Sequence, residues 1–509
     1  MGSTRISDLS LDVVVFNCGA LVMAFEIIGS RVLTPYIGAS IYVWTGLIGV
    51  ILASLSLGYW WGGRMADKRP DVRVLATVTF FAGGSISAMV LVKDIVLSFL
   101  SDAPIPVELR SVTAALLLFS PASVFLGVVT PYAIRLRIRS VSDSGKTVGR
   151  LYALSTVGSI AGTFGAGFYL LPFVGTNWTL YLIAAALIGT SLLLAPFAIS
   201  ATRIGVLVLF ALSIVANELA MRWTSTTNGL VEIDTRYSHV RVFTTTEPVS
   251  GRPIRAIATD PYFVQSAMFL ESDDLAFEYS RYYHLARYYK PGFKTVLMLG
   301  GAGYSVPKEF LRKYSDISLD VVEIDPGMTE IAKRYFRLPD DPRLHIFHED
   351  GRTFVTMAES GSYDVIMMDA FGSLFSVPYQ LTTIEAVRQM KRALKDDGVV
   401  IFNLGSAIHG PASRFLIAEL STYRAVFETV AVFKVNQNYP DDQLQNLMIV
   451  AAKHPPELGA EHVDQDSADL LGHIYKGEIP PTEALITDDL APVEYYNAIA
   501  LDNYIAGRK

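Results

Sequence analysis

The stretch VIMMDAFGS, residues 365–373, sets the fold class of the second half of this chain. Its first four residues form a continuous apolar run, which predicts a strand covered on both faces of a sheet. Asp369 follows this run directly, and an unpaired carboxylate at the edge of a core costs stability. Asp369 is therefore a candidate functional residue at the end of a strand.

Apolar runs of strand length recur on both sides of this stretch, with helical patterns between them. They cover residues 295–300, 318–325, 343–350, 363–370 and 398–404. Alternation of strands and helices is typical of a doubly wound parallel sheet. The sequence predicts a Rossmann-like α/β domain over residues 293–509. Residues 224–292, which begin with strand-like alternation, predict a small β subdomain and a linking helix.

The first 223 residues have a different composition. Over the whole chain of 509 residues, 51% are hydrophobic and the mean hydropathy is +0.36, which is too apolar for one soluble domain. Seven apolar stretches are each about long enough to span a bilayer. They lie near residues 11–33, 42–62, 73–97, 112–134, 151–171, 177–199 and 204–221. The sequence predicts a multispan α-helical membrane domain over residues 1–223, with six or seven spans and the lipid bilayer as its partner.

Basic residues predict the orientation of these spans. They cluster after the second and fourth stretches, at Arg64, Lys68, Arg69, Arg73, Arg135, Arg137, Arg139, Lys146 and Arg150. Cytoplasmic loops carry an excess of Lys and Arg, so both loops and the N-terminus are expected in the cytoplasm. The last stretch is the shortest and contains Asn217 and Glu218, which favours an interfacial or re-entrant segment. Seven crossings would leave the second half outside, and six would keep it in the cytoplasm. The cytoplasmic placement is expected, on a multi-pass protein of the inner cell membrane.

The charges and the single cysteine exclude several classes. The formal net charge is −7 and no basic face is visible, so no nucleic-acid partner is expected. Cys18 is the one cysteine, which rules out an intrachain disulfide. No metal site is predicted.

Two of the predicted strands end in residues suited to a nucleoside. Gly301 and Gly303 follow the first strand and would let the backbone approach a ligand. Glu323 ends the second strand, where a carboxylate can accept hydrogen bonds from both ribose hydroxyls. Val306 stands where the dinucleotide fingerprint requires a third glycine, which favours a compact adenosyl ligand over NAD.

The next two strands also end in polar residues. Asp350 and Gly351 follow the third strand, and Asp350 could accept a hydrogen bond from an adenine amino group. Asp369 follows the fourth. In open parallel sheets, ligands bind beyond the carboxyl ends of the strands. Together these positions predict a nucleoside site at one edge of the sheet.

With these features the sequence resembles the spermidine synthase family of aminopropyltransferases, in the branch that has a multispan region before the catalytic domain. The resemblance covers about residues 229–500. It rests on the motifs VLMLGGAGYS, VVEIDP, HEDGRTF, YDVIMMDAF and ITDDLAPVEYY. It implies a small β domain followed by a Rossmann-like domain of the S-adenosylmethionine-methyltransferase type, in a homo-oligomer, dimer or tetramer.

The resemblance also implies roles for single residues. Gln265 would lie near the nucleoside, Glu323 would hold the ribose, and Asp350 with Gly351 would hold the adenine. Asp369 would accept a proton from a polyamine, because an alkylamine with a pKa of about 10 is protonated near neutral pH and only the free amine can attack. Decarboxylated S-adenosylmethionine would be a cosubstrate, and no permanently bound cofactor is implied.

The chain departs from the family where the amine should bind. Soluble members have an aspartate in the glycine loop, where this chain has Gly303 and Tyr304. They have a second aspartate three residues after the catalytic one, where this chain has Gly372. Phe277, Glu278 and Tyr279 replace a Tyr-His-Glu segment. Substitutes for these groups would be Glu278, Tyr282 and His284.

Three functions therefore stay open. The first is transfer of an aminopropyl group to a di- or polyamine such as putrescine. The second is methyl transfer from S-adenosylmethionine, whose carboxylate the glycine loop could bind through backbone N–H groups. The third is a membrane transporter or sensor with a regulatory adenosyl-binding domain.

Overall fold

The structure is a computed structural model, and the described residues are 8–101, 103, 105–138, 140, 144–195, 200–260, 263–370, 377–456, 464–482 and 484–507. The chain divides into two compact units, Met1–His239 and Val240–Lys509. The first unit is mainly helical, and the second combines helices with β-sheet.

Apart from Phe119 and Ala195, the described residues of the seven predicted apolar stretches lie in helices of the first unit. These helices are α1 Asp8–Ile37, α2 Ile41–Lys68, α3 Val72–Ser101, α4 Val107–Leu118, α5 Ser120–Arg137, α6 Ser144–Gly165, α7 Leu171–Val174, α8 Thr176–Leu194 and α9 Ala201–Asn228. A π-helical turn, Ala166–Leu170, joins α6 to α7, and the short strand β1, Val231–Asp234, follows α9.

Length and composition make these helices candidates for membrane spans. Within the described residues, six helices are long and apolar enough to cross a bilayer, and the count is seven if the bent pair α4 and α5 is one span. This pair is bent by 58°. Pro121 lies in the first turn of α5 and has no N–H to continue the hydrogen bonding of α4, which accounts for the break at Phe119.

Glycines bring several of these helices into close contact. A Cβ atom on Gly158 or Gly162 of α6 would collide with the backbone of Phe16 or Ala20 in α1. A Cβ atom on Gly58 of α2 would likewise meet the backbone of α5. Small residues at these positions let helix backbones approach closely, as in packed membrane helices.

The last apolar stretch is a continuous helix. The sequence suggested an interfacial or re-entrant segment at residues 204–221, but α9 runs unbroken through them for 28 residues. At 1.5 Å per residue such a helix is about 42 Å long, which exceeds the roughly 30 Å hydrocarbon thickness of a bilayer. Asn217 and Glu218 lie in the second half of α9 and do not interrupt it.

The second unit begins with an antiparallel arrangement of strands. The strands β2 His239–Thr246, β3 Pro253–Ala258 and β4 Ser266–Phe269 pair in chain order. Their alternating buried positions match the period-two pattern of the sequence. A 3₁₀-helix, Glu278–Leu285, and the short helix α10, Ala286–Tyr289, then lead to the main sheet.

The described strands of the main sheet confirm the predicted Rossmann-like α/β fold. They are β5 Thr295–Leu299, β6 Ser318–Val322, β7 Leu344–Phe347, β8 Tyr363–Met368, β9 Leu394–Ser406, β10 Thr429–Lys434 and β11 Gln445–Ala452. Their order is β10-β11-β9-β8-β5-β6-β7. The strands β5 to β9 are parallel, and β11 and β10 extend the sheet antiparallel beyond β9.

Helices cover both faces of this sheet. They are α11 Ser305–Lys313, α12 Pro326–Tyr335, α13 Gly351–Met357, α14 Ile384–Ala393, α15 Arg414–Arg424, α16 Gln465–Gly472 and α17 Val493–Gly507. The central strand β8 is buried at all six positions, as its continuous apolar run predicts. Its side chains alternate between two apolar clusters, with Ile366 and Met368 in one and Val365 and Met367 in the other.

Candidate active site

Three neighbouring strands end level with one another at the carboxyl edge of the sheet. Backbone hydrogen bonds continue one residue past each strand: Asp369 N–H donates to Leu299, Gly300 N–H to Val322, and Glu323 N–H to Phe347, at 2.9, 2.9 and 3.0 Å. These bonds fix the positions of Gly300, Glu323 and Asp369. The predicted convergence of these strand ends is therefore present in the structure.

The Asp369 carboxylate is half-buried and hydrogen-bonded at this edge. The Tyr279 hydroxyl donates to Asp369 Oδ2 at 3.1 Å. Burial raises the pKa of Asp369 to about 6, while hydrogen bonds from Tyr279 and from the Asn403 side chain act in the opposite direction. A carboxylate with a pKa near neutrality can both accept and release a proton at physiological pH.

Asn403 stands beside Asp369 because of the strand register. Met368 of β8 pairs with Phe402 of β9, so the next residues, Asp369 and Asn403, are neighbours. The Asn403 Oδ1 atom is buried without a hydrogen-bond partner among the described residues. A buried orphan acceptor next to a candidate base is a place where a substrate N–H group could donate.

Two tyrosines of the 3₁₀-helix face this strand end. Tyr279 contacts the carboxylate, and the Tyr283 hydroxyl donates to the Met368 carbonyl at 3.0 Å. Burial and the nearby Asp369 charge raise the pKa of both hydroxyls well above the usual value, so both remain protonated donors. No role was predicted from sequence for Tyr283 or Asn403. The signals available were the spacing of four residues between the tyrosines and the polar end of the predicted strand 398–404.

The glycine loop after β5 is tightly packed. Gly300 has a φ of 96°, and a Cβ atom there would collide with the Asp369 carbonyl. A Cβ atom on Gly303 would lie 2.5 Å from Ser266 Oγ, and one on Gly301 would lie 2.7 Å from the ring of Tyr304. Contacts within the protein therefore already require glycine at these three positions.

Tyr304 closes this loop in a strained conformation. Its φ is 54°, in the left-handed region that side chains other than glycine rarely adopt. Its buried hydroxyl lies 2.7 Å from Thr329 Oγ1. Tyr304 thus holds the loop from inside, at the position where soluble relatives were expected to carry an acidic group.

Glu323 organises the same loop through its carboxylate. Its Oε2 accepts hydrogen bonds from the N–H groups of Gly301 and Ala302 at 2.9 and 3.1 Å, and its Oε1 accepts from Asp325 N–H at 2.9 Å. Burial raises its pKa, although these backbone bonds act against the shift. A carboxylate offers about four acceptor positions, so three bonds leave room for one from a ligand hydroxyl.

Asp350 and Gly351 lie at the start of α13. Asp350 Oδ1 caps this helix by accepting from Thr353 N–H at 2.9 Å and from Thr353 Oγ1 at 3.1 Å. A Cβ atom on Gly351 would make ordinary contacts with Leu381 and Leu299 at 3.5 and 3.8 Å, so local packing does not demand glycine there.

Gln265 immediately precedes β4, and its N–H donates to the Ile257 carbonyl at 2.8 Å. The adjoining Ser266 packs against Gly303. Gln265 is thus next in the chain to a residue that packs against the glycine loop, and its place near the nucleoside stays a prediction.

The structure does not bring Tyr282 and His284 to the Asp369 carboxylate. The Tyr282 hydroxyl lies 2.6 Å from His473 Nδ1, and His284 Nδ1 lies 2.7 Å from the Tyr314 hydroxyl. Burial lowers the pKa of His284, which disfavours a charged imidazolium. The polar groups of these two side chains are used elsewhere because Tyr279 and Tyr283 occupy the helix face toward β8. Glu278 is exposed at the start of the same helix, and Gly372 lies outside the described residues.

The described residues contain no candidate set of metal ligands. No group of three or more His, Cys, Asp or Glu side chains there is arranged to hold an ion.

Comparison with known proteins identifies the region that carries this site. Residues 276–435 match the family model of the spermine/spermidine synthase domain. A polyamine aminopropyltransferase of Vibrio vulnificus is 30% identical over 178 residues, 34% of this chain and 58% of that protein. One of Pyrobaculum arsenaticum is 30% identical over 193 residues, 35% of this chain and 64% of that protein. The chain therefore spans about three fifths of the length of these relatives.

Among solved structures, a probable spermidine synthase of Corynebacterium glutamicum is similar with a TM-score of 0.40 and 22% identity. That similarity covers 47% of this chain and 86% of the other. The family resemblance recognised in the sequence is confirmed by the family model, whose range contains every predicted site residue except Gln265.

Proposed function

Because residues 276–435 carry the spermine/spermidine synthase domain, we propose that this protein is an aminopropyltransferase. The reaction moves an aminopropyl group from decarboxylated S-adenosylmethionine to a di- or polyamine such as putrescine. The observation that carries the proposal is the Asp369 carboxylate, with its pKa raised to about 6 and its hydrogen bond from Tyr279, beside the glycine loop.

Asp369 acts in this reaction as the proton acceptor. The amine nitrogen forms a new C–N bond to the carbon next to the sulfonium, while the bond from that carbon to sulfur breaks and methylthioadenosine leaves. The proton lost by the amine passes to Asp369. A raised pKa brings the carboxylate closer to the amine in basicity, and the fixed Tyr279 hydroxyl orients the oxygen that receives the proton.

The adenosyl part of the donor lies along the remaining strand ends. Glu323 accepts a hydrogen bond from a ribose hydroxyl, and Asp350 with Gly351 borders the adenine. Gln265 lies near the nucleoside from the β subdomain. The donor is a cosubstrate, so no cofactor stays bound between turnovers.

Tyr279, Tyr283 and Asn403 replace the acidic groups expected around the amine. Two hydroxyls and an amide can orient a free amine but cannot neutralise a second ammonium group. Glu278, exposed at the start of the same helix, is a candidate for contact with the far end of a longer polyamine. The described residues thus support positioning of the reacting nitrogen by neutral groups around one carboxylate.

Methyl transfer from S-adenosylmethionine is the second candidate. The absence of an acidic residue at Gly303 and Tyr304 favours it, because the intact donor carries a carboxylate in place of a hydrogen. However, the loop N–H groups of Gly301 and Ala302 already donate to Glu323, which leaves them poorly placed to receive that carboxylate.

The sulfur by-product distinguishes these reactions. Purified protein is incubated with each donor and a set of di- and polyamines, and the products are identified by mass spectrometry. Aminopropyl transfer yields methylthioadenosine and a longer polyamine, whereas methyl transfer yields S-adenosylhomocysteine. Nucleoside binding without any turnover would instead support a regulatory domain of a transporter or sensor.

The first unit is proposed to lie in the lipid bilayer. Large apolar side chains cover its surface, including Phe99 at 77%, Leu193 at 76% and Ile95 at 74% exposure. Apolar patches of this kind are unfavourable in water and favourable against lipid. Retention of the protein in the membrane fraction after a carbonate wash tests insertion. A homo-oligomer, dimer or tetramer, is proposed from the family resemblance, and light scattering of detergent-solubilised protein measures it.

A further inference from the structure

The helical unit has one end where the basic loops meet. Asp12, near the start of α1, pairs with Arg137 at the end of α5 and, at 2.6 Å, with Arg150 near the start of α6. Arg135 pairs with Asp67 at 3.0 Å, which brings the end of α2 to the same place. These contacts define a basic end of the unit.

The helix α9 begins close to this basic end. Arg203, in its first turn, lies over the ring of Phe80, 5.6 Å from the ring centre. Ser191, near the end of α8, donates to the Ala76 carbonyl at 2.6 Å. Phe80 and Ala76 belong to the first turns of α3, which starts directly after the basic loop that follows α2.

The chain that follows α9 is fixed at the opposite end. Asp234 of β1 accepts a hydrogen bond from Thr176 N–H at 2.6 Å, which caps the start of α8. Arg31 donates to the Arg236 carbonyl at 2.6 Å. Because α8 starts far from the basic end and Arg31 lies in the second half of α1, residues 231–239 leave the unit at the end away from the basic loops.

We infer that the chain emerges from the membrane domain on the non-cytoplasmic face and that Asp369 works in that compartment. The positive-inside rule holds the basic end in the cytoplasm, and α9 completes an odd number of crossings. This reverses the cytoplasmic placement expected from six crossings. The inference rests on the membrane insertion proposed above and does not depend on which group is transferred.

The placement constrains the supply of substrates. A donor made in the cytoplasm has to be carried across the membrane before this site can use it, and it is a permanently charged sulfonium ion that does not cross lipid unaided. The required preceding step is therefore transport of a sulfonium nucleoside. An acceptor amine, by contrast, can be taken directly from the medium on that side.

Cysteine labelling tests the sidedness. Cys18 is buried in α1, so the wild type serves as an unlabelled control and Cys18→Ala as the background. In that background, Val249→Cys places a thiol in the second unit at a position that is 92% exposed. Gly145→Cys places one at the basic end, where an added Cβ meets no atom within 4 Å. A membrane-impermeant maleimide is applied to cells stripped of outer barriers but with an intact cytoplasmic membrane.

We expect Val249→Cys to be labelled in intact cells. We expect Gly145→Cys to be labelled only after the cells are permeabilised. Protection of Val249→Cys in intact cells, or equal labelling of the two positions, overturns the inference. A carbonate wash of the same samples shows whether the protein is inserted in the membrane at all, independently of its sidedness. An activity assay of the detergent-solubilised variants tests the proposed reaction, independently of both insertion and sidedness.

Discussion

Glu323 meets its glycine-loop partners 21 and 22 residues away in the chain, whereas the hydrogen bond between Asp369 and Tyr279 spans 90 residues. The proposed nucleoside side of the site, Glu323 with the glycine loop and Asp350, is built from successive strand ends and backbone N–H groups. The proposed amine side, Asp369 with Tyr279, Tyr283 and Asn403, is assembled from distant segments through side chains. The geometry of the nucleoside side is thus fixed by the backbone of the sheet, which forms a frame for the ligand. The geometry of the amine side depends on which side chains reach the strand end.

The largest effect expected on this comparison comes from Asp369→Asn. Asparagine keeps the size of the side chain but provides neither a negative charge nor a proton acceptor. We expect turnover to fall by about 10²-fold or more, the usual value of a positioned base, while affinity for methylthioadenosine stays within a factor of about two. Steady-state kinetics and calorimetry measure the two quantities.

This variant breaks the comparison if the two sides are not separable. Loss of nucleoside affinity together with turnover would make Asp369 part of the frame. Normal turnover with every acceptor that the wild type uses would remove Asp369 as the base. Asn403→Ala is a useful companion, because it removes a neighbour of the carboxylate and leaves the carboxylate itself in place.

A test of the nucleoside side is Glu323→Gln. The amide NH₂ group of glutamine would face the backbone N–H donors of Gly301, Ala302 or Asp325, so at least one hydrogen bond to a charged acceptor is lost. We expect nucleoside binding to weaken by about 1.5–3 kcal/mol. Calorimetry with methylthioadenosine measures this, and an unchanged affinity would contradict the placement of the ribose at Glu323.

Much of the nucleoside side could be predicted from sequence because strand ends are local features. Continuous apolar runs located β5, β6, β7 and β8, and parallel strands bring their carboxyl ends to one edge. The residue after each run could therefore be proposed as a site residue from the sequence alone. The pattern did not indicate that Glu323 accepts hydrogen bonds from the backbone of the glycine loop. Backbone N–H groups are present at nearly every residue, so they leave no signal in the sequence.

The amine side was harder to predict for a physical reason. Tyr279, Tyr282, Tyr283 and His284 all lie in one aromatic-rich helix, and composition does not indicate which face meets β8. A 3₁₀-helix such as Glu278–Leu285 places residues i and i+3 on one face, which would group Tyr279 with Tyr282. The structure instead brings Tyr279 and Tyr283, four residues apart, to the strand end, while the hydroxyl of Tyr282 and the imidazole of His284 bond elsewhere.

Tyr279→Phe sharpens this distinction through the pH dependence of the reaction. The Tyr279 hydroxyl donates to Asp369 and lowers its pKa, against the larger effect of burial. The base must be deprotonated, so the wild-type rate should rise with pH through about 6. Without the hydroxyl the pKa of Asp369 increases, and the rise moves to higher pH. The ratio kcat/KM measured from pH 5 to 9 reports the shift.

Tyr282→Phe is the matched control for this measurement. It removes the same hydroxyl from the same helix, but that hydroxyl lies against His473. We expect its pH profile to follow the wild type. Equal shifts of the pH profile in both variants would show a general disturbance of the helix. An unshifted profile in Tyr279→Phe would show that this hydrogen bond does not determine the pKa of Asp369.

The smallest expected effect separates a structural role from a binding role at Asp350. This residue caps α13 through Thr353, and loss of such a cap by Asp350→Ala costs about 1 kcal/mol, or roughly 2–4 °C in the melting temperature of a domain of this size. Asp350→Asn retains a cap oxygen and should melt within about 1 °C of the wild type.

Thermal unfolding of the detergent-solubilised variants, with and without methylthioadenosine, measures both roles. Asparagine preserves the cap but removes the charge. Weaker ligand stabilisation in Asp350→Asn, as well as in Asp350→Ala, would therefore assign Asp350 to the adenine. Equal ligand stabilisation in all three proteins would leave Asp350 as a helix cap and confine the nucleoside side to Glu323 and the glycine loop.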